Sequence, residues 1–159
     1  MAEVAHRMET RRGEILVVIG VVLLFFGPTL NFLDVEGPGG SFSGSGYDLE
    51  EGSTYVLAGI VALIGLAMAW FMKGGARKAG GIIVLLAGLF GTYGGFVDAF
   101  STPEGVDDSF DISHGIGTYV VLIAGLIVVA GAIMLMKREE PAPTVPPATT
   151  PPPSEPPPV

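Results

Sequence analysis

Four stretches of this chain run for 18 or 19 positions without a charged residue: Ile15–Leu33, Tyr55–Met72, Ala79–Val97 and Tyr119–Met136. A bilayer core is about 30 Å thick, and a helix needs roughly 17–25 residues to cross it. With a flanking residue or two each run meets that length, predicting spans of about 14–34, 54–73, 78–98 and 116–137. The helices of a soluble bundle would each carry a polar stripe, and Tyr55–Met72 has none. The expected fold class is all-α and integral to a membrane. It is a four-transmembrane-helix bundle over residues 14–140, preceded by a cytoplasmic segment, 1–13, and followed by a tail, 141–159.

Composition narrows the function classes. Charged residues make up 15% of the chain, below the ~25% of a soluble domain. The absence of cysteine rules out a disulfide framework and a thiolate metal site. A net charge of −8 with only eight Lys and Arg argues against nucleic-acid binding. Arg7, Arg11 and Arg12 ahead of the first run resemble the start of a signal peptide. That run is long for such a segment, however, and Phe26-Gly27-Pro28-Thr29 offers no small-x-small cleavage pattern, so a retained helix is expected.

The charges are segregated by connection. Arg7, Arg11 and Arg12 precede the first run, Lys73, Arg77 and Lys78 lie in the second connection, and Lys137 and Arg138 follow the fourth run. The first and third connections carry no Lys or Arg; they hold Asp34, Glu36, Asp48, Glu50, Glu51, Asp98, Glu104, Asp107, Asp108 and Asp111. Basic residues stay on the cytoplasmic side. The expectation is a plasma-membrane protein with both termini inside and two acidic loops outside. Tyr55 and Tyr119 at the outer face, and Trp70 and Phe71 at the inner, suit interfacial belts.

An offset of 64 residues aligns the two halves. Gly27, Phe32 and Asp34 fall on Gly91, Phe96 and Asp98, and Thr54-Tyr55-Val56 falls on Thr118-Tyr119-Val120. Two tandem hairpins in parallel duplication are therefore expected. Asp34 and Asp98 become repeat-related outer carboxylates, each at the C-terminal end of its helix, where negative charge is mildly unfavourable.

Helices in lipid associate through close packing rather than hydrophobic burial. Gly81, Gly88, Gly91 and Gly95 share one face of the third run, and Gly91–Gly95 is a GxxxG. They predict a packing face, with the third helix central. Gly13, Gly20 and Gly27 make a narrower seam on the first run. Pro28 predicts a local kink, with Thr29 and Asn31 placed to bond the freed groups.

Chemistry is sparse. No ionisable residue lies at mid-depth of any run, which argues against a proton-coupled carrier. No HExxH, GxSxG or P-loop pattern occurs, and His6 and His114 are expected on opposite sides of the membrane. The chain is read as no enzyme and as needing no cofactor. Asp107, Asp108, Asp111 and His114 lie within eight residues and form a speculative outer-loop cation site, since hard cations take several oxygen ligands. They lack the EF-hand order, and a hydrated acidic loop is the plainer reading. Residues 141–159 contain ten prolines and are expected to be a disordered, polyproline-rich cytoplasmic tail.

The leading expectation is a non-catalytic accessory or assembly subunit of a membrane complex. Its partners would be the bilayer and either a larger membrane protein or further copies of this chain. Two alternatives stand beside it: a small oligomeric channel or carrier for cations or small solutes, and an envelope sensor with acidic outer loops.

Overall fold

The computed structural model describes residues 2–48, 52–101 and 111–137, with side chains from Arg11 onward. It contains helices α1 (Ala2–Phe26), α2 (Gly52–Phe71), α3 (Gly75–Phe100) and α4 (Ile116–Met136). Four segments are long and apolar enough to cross a membrane: Arg11–Thr29, Gly52–Phe71, Gly75–Phe100 and Ile116–Met136. The chain is a multi-pass membrane protein built on a mostly helical bundle. The proline-rich tail lies outside the described residues.

The first helix does not follow hydropathy to Leu33. It ends at Phe26 and passes into a 3-10 turn, Gly27–Thr29. Pro28 has no N–H to continue the ladder, and its ring crowds the preceding turn. Thr29 Oγ1 donates to the Phe26 carbonyl at 2.7 Å, and the Leu30 N–H reaches Gly27 O at 3.0 Å. Both bonds satisfy carbonyls that the break releases.

The expected all-α class needs a correction, because the loops at one end fold into a sheet. Strands β1 (Asn31–Gly37), β2 (Gly40–Ser45) and β3 (Asp111–His114) pair antiparallel in the order β2-β1-β3. Strands β1 and β2 form a hairpin across Pro38–Gly39, with Gly37 opposite Gly40. Gly40 has φ +129°, a backbone region that L side chains rarely enter. Strand β3 comes from the connection between α3 and α4 and places Asp34 opposite Ser113. One small cap thus joins both acidic connections.

The helices form a ring. Helix α4 packs against α1 on one side and α3 on the other, α3 also packs against α2, and α1 against α2. Helix α3 is therefore not central, as the sequence had suggested. Two glycine seams of period seven grip α4. From α1, an added Cβ at Gly13 would lie 2.9 Å from Met134 Cβ, and one at Gly20 2.9 Å from Ala124 O; Gly27, in the turn that follows α1, faces Val121. From α3, Gly81 faces Met136, Gly88 faces Val128 and Val129, and Gly95 faces the Leu122 backbone, each at 2.7–2.9 Å from an added Cβ. A seven-residue repeat of small residues keeps one helix face against its neighbour at a shallow left-handed crossing. Gly91 stands apart from this seam and meets Leu24 of α1 across the interior. Between them, Val17, Leu24, Val84, Val121 and Val128 are fully buried.

Candidate functional site at the acidic end

Phe32 pins the cap to the bundle. Although it lies on β1, it is 2% exposed and belongs to the helical core. Its ring packs on Tyr55 of α2 with centroids 6.1 Å apart, and it fills the space left by the missing side chains of Gly46 and Gly117. Its carbonyl accepts from the Gly115 N–H at 2.8 Å and from Thr118 Oγ1 at 3.2 Å. Thr118 is itself buried, so this bond gives its hydroxyl a partner in place of water.

Beneath the cap, Tyr55 Oη donates a hydrogen bond to Asp98 Oδ2, joining α2 to α3. Tyr55 is 3% exposed and Asp98 half-buried. His114, at the end of β3, lies beside the C-terminus of α3. Its Nε2 lies 3.3 Å from Ser101 O, the carbonyl just past the C-terminus of α3. A buried phenol and a half-buried carboxylate are therefore bonded at one end of the bundle, with an imidazole from a third element on the carbonyl that follows α3. Composition and spacing do not pair these residues: the sequence marks Tyr55 as an interfacial aromatic and a repeat position, and Asp98 as the repeat mate of Asp34. The available signal was Asp98 itself, the one acid inside the helix α3.

The remaining candidates are more dispersed. Asp34 does not end a helix, because α1 stops at Phe26; it sits on the middle strand β1 and accepts from Asn31 Nδ2 at 2.7 Å. Its proposed repeat mate, Asp98, is helical and bonded to Tyr55. The aligned tyrosines also differ, since Tyr55 is buried while Tyr119 is 44% exposed. Asp111 and His114 stand three positions apart on β3, and strand alternation sends their side chains to opposite faces. Asp107 and Asp108 lie outside the described residues. Among the described residues, no three His, Asp or Glu side chains cluster closely enough to hold a metal ion.

Asp48 illustrates how the loops are tied locally. Its carboxylate accepts from the Ser45 hydroxyl at 2.7 Å and the Ser45 N–H at 3.0 Å. These bonds favour the charged form and lower its pKa below the usual carboxylate value. A depressed folded-state pKa contributes stability that is present above the unfolded pKa and lost as pH falls through the folded one. Ser45→Ala should therefore raise the Asp48 titration midpoint toward that of an ordinary aspartate, read by carboxyl NMR. An unchanged midpoint would contradict the assignment.

No protein-family model matches the chain, and no curated protein matches it either.

Proposed function

We propose that this chain is a non-catalytic accessory or assembly subunit of a membrane complex, with both termini cytoplasmic and the acidic cap outside. The observation that supports it most is how the bundle spends its polar and small residues. The glycine seams bring helices into backbone contact, and valine, alanine and leucine fill the interior. Mid-depth ionisable groups, which pumps and carriers use to move charge, are missing from all four apolar runs. What the fold offers outward is helix surface, such as the exposed Phe90, Phe96 and Phe100 of α3, together with a rigidly attached cap. Such surfaces suit association with another membrane protein.

A second reading draws on the cap. Asp34, Glu36, Asp98 and Asp111 gather at one end without a Lys or Arg among them, a charge pattern that would attract cations to the mouth of an oligomeric pore. The test is purification from native membrane in mild detergent followed by native mass spectrometry. A stoichiometric larger partner is the expected result. A closed ring of this chain alone would favour the pore and sink the accessory reading.

A further inference from the structure

Among the described side chains, the end of the bundle opposite the cap carries six cations and one carboxylate, Glu14. Antiparallel packing brings Arg11, Arg12, Lys73, Arg77, Lys78 and Lys137 to this end, as the contacts of Gly13 with Met134 and of Gly81 with Met136 show. Lys73 lies in the short turn between α2 and α3, and Arg77 and Lys78 follow in the first turn of α3. Lys73 and Lys78 are exposed and Arg77 half-exposed, and none of the three forms an ion pair with a described carboxylate. On the membrane side of the same turn, Trp70 is 55% and Phe71 83% exposed. An exposed aromatic pair at the end of an apolar helix therefore adjoins, along the chain, three cations that pair with no described carboxylate. A neutral or zwitterionic surface would leave those charges uncompensated, whereas a lipid carrying net negative charge supplies both complements.

We infer that the α2–α3 turn is a binding site for an anionic phospholipid, with its headgroup phosphate held by Lys73, Arg77 and Lys78 and its acyl chains against Trp70 and Phe71. The site goes beyond the accessory role and does not depend on it. Charge at such a surface is worth roughly fivefold in affinity per Lys or Arg.

The test uses the full chain in a mild nonionic detergent. Bound lipid is counted by native mass spectrometry during titration with phosphatidylglycerol or with phosphatidylcholine of the same acyl chains. Phosphatidylglycerol should bind at least about tenfold more tightly at low salt. The K73Q/R77Q/K78Q variant should lose that preference, while R11Q/R12Q should keep most of it. Should the triple variant fail to fold, 0.5 M NaCl must still erase the preference in the unaltered chain, since salt screens exposed charge. Equal affinity for the two lipids, or a preference untouched by the triple substitution, would overturn the site. So would equal loss in R11Q/R12Q, which would spread the effect over the whole rim. Displacement of the lipid by millimolar inorganic phosphate would reduce the site to free-phosphate binding and overturn the lipid assignment.

Discussion

Gly125→Val should destabilise the bundle by about 3 kcal/mol, at the upper end of the usual cost of overpacking. An added Cβ at Gly125 would stand 2.6 Å from Thr92 Oγ1 and 2.8 Å from Thr92 Cα. Neither atom has room to yield: Thr92 Oγ1 is bonded to the Gly88 carbonyl at 2.8 Å, and the Cα belongs to the α3 backbone. Helix propensity works the other way but weakly, since valine is only a few tenths of a kcal/mol better than glycine inside a helix. The steric term is larger because relief requires moving α3 away from α4 along the whole seam. Gly75→Ala is the matched control. It has nothing within 4 Å of its added Cβ and sits in the first turn of α3, so it should be neutral or stabilising by up to about 1 kcal/mol. Unfolding in mixed micelles, followed by circular dichroism, measures both. Equal stability of the two variants would mean that the seam is not packed as described.

The second large effect is expected at Asp98. Asp98→Ala removes the acceptor of the Tyr55 hydroxyl and should cost about 1.5–3 kcal/mol, the range for hydrogen bonds to a charged group. Asp98→Asn keeps an acceptor oxygen and should cost less. Tyr55→Phe leaves the ring packed on Phe32 and removes only the hydroxyl. If the two side chains act through one bond, the double variant should be less destabilised than the sum of the singles, with a coupling of about 1 kcal/mol. Strict additivity would show that α2 and α3 are joined there by packing alone.

How much of this was legible in the sequence depends on the range of the interaction. The four spans were readable because each is an uninterrupted apolar run, which only a membrane or a deep core tolerates. The point where α1 stops was half-readable: hydropathy continues to Leu33, but Pro28 forbids the ladder there. The β1–β2 hairpin had a local signal in Gly37-Pro38-Gly39-Gly40, but the run Phe32-Leu33 blurred the alternation that marks a strand. The pairing of Asp34 with Ser113 had no local signal, because it joins residues from opposite halves of the chain. The spacing of Gly81, Gly88 and Gly95 showed a packing face without showing that α4 fills it. The Tyr55–Asp98 bond was hidden for the same reason. The repeat alignment drew attention instead to Asp34, whose surroundings prove different.

The proposed role requires the four-span bundle to sit with its basic end inside and its acidic cap outside. The chain contains no cysteine, so single cysteines can report each side without background. Gly39→Cys at the hairpin tip and Gly75→Cys at the start of α3 both occupy open space. In intact cells, a membrane-impermeant maleimide should label the Gly39 position at once and the Gly75 position only after lysis. Labelling of the Gly75 position before lysis, or protection of the Gly39 position, would contradict that orientation.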